Sequence, residues 1–250
     1  MKLFAVSNAY ADLEVMTFGV SRFYKTTNVN ISGYPSAWVL VDNHWPLNKR
    51  GNGFEIQKIQ KFMDAYLVDP GKNLGGHGGT SFGLSNFGNR YGPKINGIDD
   101  DDLVLNYDLD SNPITEGWLE AMIEVMNADP TLGYVALLDN RCEAGKPWTF
   151  ETIAGHKIAL LPHADMWNVT LFRGKVIKDG MKADTKYYGL VETAMRKHME
   201  PMGLRMGYLY DFREDVCPIN HPHSYFLYKQ EHAAGRYAGT FEEYLKEKQS

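Results

Sequence analysis

The chain has 250 residues, 44% of them hydrophobic and 13% aromatic, enough to bury a core as one large domain or two small ones. Its formal net charge of −5 leaves no global basic field of the kind that drives nonspecific nucleic-acid binding, although a local basic patch is compatible with it. Cys142 and Cys217 are too few for a disulfide framework or a Cys-rich zinc site and read as reduced thiols or one bridge, and no apolar run is long enough to span a bilayer, so a soluble cytoplasmic protein is expected.

Residues 2–7, KLFAVS, are a short apolar strand, and the chain meets Asn8 and Asp12 too early for the apolar region of a signal peptide. SAWVLVDN (36–43) is a stronger strand ending at Asp42. Residues 54–66 place Phe54, Ile56, Ile59, Phe62, Met63 and Tyr66 at helical spacing, and AYLVDP (65–70) follows as a brief strand. The next segment, GKNLGGHGGTSFGLSNFG (71–88), carries six glycines from Gly71 to Gly83. Such density lets a backbone approach a ligand closely, and a Gly-rich turn entering a helix presents N–H groups to phosphate. Without G-x-G-x-x-G or a P-loop lysine, the simpler reading is a flexible loop. IDDDDL (98–103) reads as a solvated charge run before the strand DDLVLNYD (101–108). Residues 114–130 form an amphipathic helix with Trp118, Leu119, Met122, Ile123 and Met126 on one face, Thr115 as N-cap and Asp129-Pro130 as stop. GYVALLD (133–139) is another strand, His156, His163 and His198 lack ligand spacing, and the tail 239–250 reads as an amphipathic packing helix. Continuous apolar strands separated by helices predict an α/β sheet covered on both faces.

The strand ends carry acids: Asp42-Asn43, Asp69-Pro70, and Asp108, with Asp110 two residues on. A solvated turn is the plain reading of the last pair. The alternative is a metal site at the carboxyl edge of the sheet, where open α/β sheets bind ligands. If the backbone is extended there, residues two apart face the same side and offer the oxygen ligands that Mg²⁺ or Mn²⁺ prefers.

Taken in order, the VDN strand end, KNLGGHGG, LNYDLD with ITEGWLEAM, and ADPTLGYVALL resemble family 2-type glycosyltransferases with the GT-A fold, over residues 36 to 140. The resemblance implies a mixed central sheet with helices on both faces, a GT-A domain over 1–215 and a C-terminal extension over 216–250 packing on it. It implies inverting, metal-dependent transfer of a sugar from a nucleotide-sugar donor, a UDP-sugar, to an acceptor hydroxyl on a glycan, lipid carrier, protein, small molecule or modified DNA base. Ser7, Asp42, Asn43, Asn73, Gly75, Gly76, Asp108 and Trp167 would line the donor. Asp110 would ligate Mn²⁺ or Mg²⁺, with Asp108 on ribose or the metal shell, and His221 or His223 would complete that shell. The segment 187–203 is similar to the family's Glu-Asp helix, which ends in Gly eleven residues after the catalytic acid; counting back from Gly203 reaches Glu192, with Val191 in place of the first acid. Asp184 is the competing base. A nucleotidyltransferase would carry a Gly-rich basic loop after the first strand, where SNAYADLEV offers none, and a noncatalytic sugar-nucleotide binder is the other rival.

Overall fold

A computed structural model of the chain describes residues 1–10, 13–28, 35, 37–44, 54–85, 98–139, 148–160, 168–177, 198–216 and 222–249. Among these, the strands are β1 (Leu3–Ala9), β2 (Ala37–Asp42), β3 (Tyr66–Val68), β4 (Leu103–Tyr107), β5 (Ser111–Pro113), β6 (Leu132–Asp139), β7 (Thr149–Ile153), β8 (His156–Leu160), β9 (Val169–Arg173) and β10 (Arg205–Val216). They form one sheet in the order β3-β2-β1-β4-β9-β6-β10-β8-β7, with β5 paired to the far end of β10. β1 runs parallel to β2 and β4, and β6 parallel to β10, while β9 is antiparallel to both β4 and β6. The sheet is therefore mixed.

Strict alternation within continuous apolar strands divides the core into two layers. Leu3 and Ala5, Trp38 and Leu40, and Leu103, Leu105 and Tyr107 face one side. That layer is covered by α1 (Leu13–Thr26), α2 (Phe54–Met63) and α4 (Trp118–Ala128). Phe4 and Val6, Val39 and Val41, and Val104 face the other side, against α3 (Gly75–Ser85) and α5 (Gly174–Ile177). Tyr225 and Tyr228 of α6 (Pro222–Ala233) and Tyr244 of α7 (Phe241–Gln249) join the first layer. The C-terminal helices thus share the buried cluster of the sheet.

Four local expectations are corrected. The glycine segment is a helix over Gly75–Ser85, because its glycines form a contact face. A Cβ on Gly83 would lie 2.4 Å from Val6 Cγ2 and 3.0 Å from Val41 Cγ2, so only a bare Cα lets α3 sit this close to β1 and β2. Helix α4 starts at Trp118 with Gly117 as cap, at φ 79°, rather than with Thr115; Trp118 is drawn inward, its Nε1 donating to Thr26 Oγ1 at 2.9 Å. Helix α2 ends at Met63, before Asp64 at φ 52°, so Tyr66 lies in β3, and Phe62 is exposed on the helix. In the acidic run before β4, Asp99, Asp100 and Asp101 are exposed, but Asp102 is buried, accepting from the Lys2 N–H at 2.7 Å and the Asp99 N–H at 3.0 Å.

Gly83→Ala should destabilise the protein by about 1–3 kcal/mol, because the β-methyl overpacks two valines that cannot swing away. The gain in helix propensity, about 1 kcal/mol, does not offset this. Urea denaturation measures it; a more stable variant would show that α3 stands off from the sheet.

Candidate functional site

Beyond β4, the Asp108 N–H donates to the Asn168 carbonyl at 2.8 Å, and the Asp108 carbonyl accepts from the Ser111 N–H at 2.9 Å. Residues 108–111 are therefore a reverse turn, as the plain reading of these acids has it, and not the extended backbone that would put both on one side. Leu109 is buried, and its carbonyl lies 2.0 Å from where a Cβ on Gly19 would stand, so the turn rests directly on the backbone of α1. Tyr107 fixes the same contact by donating its hydroxyl to the Gly19 carbonyl at 2.8 Å. Asp110, expected to be exposed at a strand end, is only 8% exposed, and its Oδ2 lies 2.6 Å from Nζ of Lys229 on α6.

Asp108, itself half-buried, is held from below by a chain of hydrogen bonds whose first two links are buried. Asn8 Nδ2 donates to Thr80 Oγ1 at 2.9 Å, Thr80 Oγ1 to Asn106 Oδ1 at 2.9 Å, and Asn106 Nδ2 reaches Asp108 Oδ1 at 3.4 Å. This chain runs from β1 through α3 and β4 to the turn. Burial, and then the neighbouring Asp110 charge, push the Asp108 carboxyl up to about 7; Lys229 and Asn106 hold it partly back. Two adjacent carboxylates, one of them short of compensating positive charge, form an oxygen-only donor set that fits a hard divalent cation.

The raised carboxyl sets a direction with pH. Its folded value lies above the ordinary value near 4, so its contribution is fully present below the unfolded value and is lost as pH rises through about 7. In chelator, the melting temperature of the parent minus that of Asp108→Asn should fall between pH 5 and pH 8. A difference that stays flat or grows would remove the buried-acid assignment.

The second group of polar residues lies at the ends of β2 and β3. Asp42 is half-buried, and its Oδ1 accepts from the His44 N–H at 3.0 Å. Asn43 is buried, its N–H donating to the Ala9 carbonyl at 3.1 Å and its Oδ1 accepting from the Leu74 N–H at 2.8 Å, which ties the strand end to the entry of α3. His44 is left-handed, at φ 55°, and its Nε2 lies 2.7 Å from Asp69 Oδ1. The hydrogen bond from His44, and then one from the Gly71 N–H, hold the Asp69 carboxyl below the usual carboxylate range. One ligand atom from each of Asp42, His44 and Asp69 lies within 4.8 Å of the others, close enough to hold a metal ion.

The fates of the expected site residues therefore differ. Asp42, Asn43, Asn73 and the first turn of α3 with Gly75 and Gly76 lie at the carboxyl ends of β2 and β3, and Asp108 and Asp110 share the turn after β4. Ser7 is turned into the sheet: it is fully buried, donates to the Tyr107 carbonyl at 2.6 Å and accepts from Trp38 Nε1 at 3.0 Å. Trp167, Asp184, Glu192 and His221 lie outside the described residues, as do Cys142 and Cys217; His223 falls in the first turn of α6, with its side chain outside the described set. Sequence reasoning missed Gly19, Thr80, Asn106, His44 and Lys229. Only His44 carried a usable signal, standing directly after the Asp42-Asn43 strand end.

No family model matches the chain, and no curated protein does. Solved structures do. A mannosyltransferase from Pyrobaculum calidifontis in complex with GDP-mannose and Mn²⁺ superposes with a TM-score of 0.60 at 13% identity, over 92% of this chain and 60% of that one. GalNAc-T7 with UDP, GalNAc and Mn²⁺ gives 0.63 at 10% identity, over 86% and 44%. Residues 1–349 of S. aureus TarS in complex with UDP-GlcNAc give 0.53 at 13% identity, over 89% and 60%. The chain spans 60% or less of the length of these structures. The fold is the GT-A glycosyltransferase fold, a mixed α/β sheet of the kind expected from the sequence. Among the described residues no helix is long and apolar enough to cross a membrane.

Proposed function

We propose that the protein is a metal-dependent glycosyltransferase that moves a sugar, with inversion, from a nucleotide-sugar donor to an acceptor hydroxyl. The observation that carries this is the acidic turn of Asp108 and Asp110 at the carboxyl edge of β4 in a GT-A sheet, with Asp42 closing β2 two strands away. Solved structures of the same fold were obtained with GDP-mannose, UDP or UDP-GlcNAc, and two of these with Mn²⁺. A UDP-sugar is the donor that the sequence resemblance implies.

Each residue then has one task. Asp110 holds Mn²⁺ or Mg²⁺, with Asp108 beside it and His221 or His223 completing the shell. When bound, the ion neutralises the diphosphate so that it can leave. Asp42 accepts hydrogen bonds from the nucleoside, with Asn43 and Asn73 beside it, and the N–H groups in the first turn of α3, at Gly75 and Gly76, face negative charge favourably. Trp167 belongs on the acceptor side of the donor sugar. Glu192, or Asp184 in its stead, takes the proton from the acceptor hydroxyl. The GT-A domain covers residues 1–215, residues 216–250 pack on it as a C-terminal extension, and the protein works in the cytoplasm.

Asp42→Ala should weaken UDP and UDP-sugar alike, by about tenfold, the worth of one hydrogen bond to a charged acceptor. Calorimetry with UDP and UDP-GlcNAc in Mn²⁺ measures it. A variant that binds both normally would move the nucleoside away from β2.

A further inference from the structure

We infer that Lys229 is a resident counter-ion that makes metal loading of the acidic turn conditional on the nucleotide-sugar donor. This rests on the proposed metal at Asp110 and goes beyond it, since Lys229 belongs to α6 and not to the acidic turn.

The geometry is specific. Lys229 Nζ lies 2.6 Å from Asp110 Oδ2, with the lysine side chain 15% and the carboxylate 10% exposed, and the ammonium stands 6.0 Å from the centre of the Tyr225 ring. The helix that carries it is anchored. Tyr225 and Tyr228 are fully buried, the Tyr228 ring lies 5.6 Å from Tyr244 and 5.2 Å from Phe241, and His232 Nε2 donates to the Gly239 carbonyl at 2.8 Å. A lysine on a helix fixed this firmly is delivered to the turn and does not arrive there by chance sampling. A long, flexible four-carbon stem nevertheless lets its ammonium move a few ångströms while the helix stays in place.

Charge counting gives the consequence. With both acids ionised, the turn carries two negative charges and Lys229 returns one. A divalent cation alone then leaves an excess of one positive charge and must displace the ammonium from its carboxylate. A nucleotide-sugar diphosphate brings two negative charges, returns the net charge to its resting value of one negative, and gives the displaced ammonium a new partner. Lys229 therefore opposes the metal alone and favours metal together with donor. In a site this dry, both effects are large compared with those of exposed charges. Without the ammonium both effects are lost, so the metal alone binds more tightly and the donor, added to it, less tightly.

The test is Mn²⁺ titration followed by electron paramagnetic resonance, in the parent, Lys229→Gln and Lys229→Arg, with and without UDP or GDP. Lys229→Gln keeps a hydrogen-bond donor for Asp110 and should bind Mn²⁺ alone at least tenfold more tightly than the parent, while binding UDP or GDP in Mn²⁺ less tightly. Lys229→Arg should stay close to the parent. A helix-anchoring lysine without this role would leave the two affinities unchanged or lower both, and either result overturns the inference while leaving the metal site intact. If the parent and Lys229→Gln both fail to bind Mn²⁺ even with nucleotide, the metal reading itself falls, and the inference with it. Should Lys229→Gln not fold, amine acetylation of the unmutated protein decides. Labelling of Lys229, normalised to exposed Lys246, should rise in Mn²⁺ and fall again when the nucleotide is added. Labelling indifferent to Mn²⁺ overturns the inference.

Discussion

Asp110→Asn should lose Mn²⁺-dependent binding of the nucleotide-sugar by a hundredfold or more, while the protein stays folded. Removal of even an outer partner of a metal ligand typically costs 10–100-fold in metal affinity, and a ligand itself costs at least as much. The choice of asparagine follows from the burial. Were the residue an exposed strand-end acid, alanine would serve, but Asp110 is 8% exposed and paired with Lys229 at 2.6 Å. Alanine would strand a largely buried ammonium, at a cost of about 3–5 kcal/mol, and confuse unfolding with loss of binding. Asparagine keeps the shape and an oxygen for Lys229, and removes the charge that a hard cation needs. The variant's UDP-sugar affinity in Mn²⁺ should fall to the level the parent shows in chelator. Retention of the parent's metal-dependent affinity would take the ion away from this turn.

Glu192→Gln should lower turnover by 10²–10⁴, the usual loss when a general base is removed, and leave donor affinity unchanged. The position follows from its spacing to Gly203 and from the need for one carboxylate on the acceptor side; the amide retains shape and loses basicity. Initial rates of sugar transfer, or of slow donor hydrolysis in place of an acceptor, measure it. Asp184→Asn is the paired control. If Glu192→Gln works at the parent rate and Asp184→Asn does not, the base is Asp184, and the helix carrying Glu192 has another task.

The sheet was legible because its strands are continuous apolar runs, which only a doubly covered sheet explains: AWVLV, LVLNY and GYVALL are all buried. The candidate edge was legible as acids closing three strands. What stayed hidden depended on contacts that no local pattern encodes. The glycines of 75–83 read as a loop because glycine has low helix propensity, and the surface of β1 and β2 that rewards their missing side chains is distant in sequence. A turn at 108–111 is the plain reading of its acids, but its bond to Asn168 and its seat on Gly19 are tertiary and leave no local mark. Lys229 pairs with Asp110 across 119 residues, and one charged residue on an aromatic-rich helix carries no sign of its partner. Thr80 and Asn106 likewise look like ordinary polar residues until the sheet and α3 bring them below Asp108.

A calorimetric panel of UDP, GDP, UDP-GlcNAc and GDP-mannose against the unmutated protein, each in Mn²⁺ and in chelator, addresses the central claim most directly. A protein that holds nucleotide through a metal at Asp108 and Asp110 should bind at least one of these four in Mn²⁺ and lose most of that affinity in chelator. Binding that is equally strong in chelator, or absent for all four in Mn²⁺, would contradict a metal-dependent nucleotide-sugar site on this sheet.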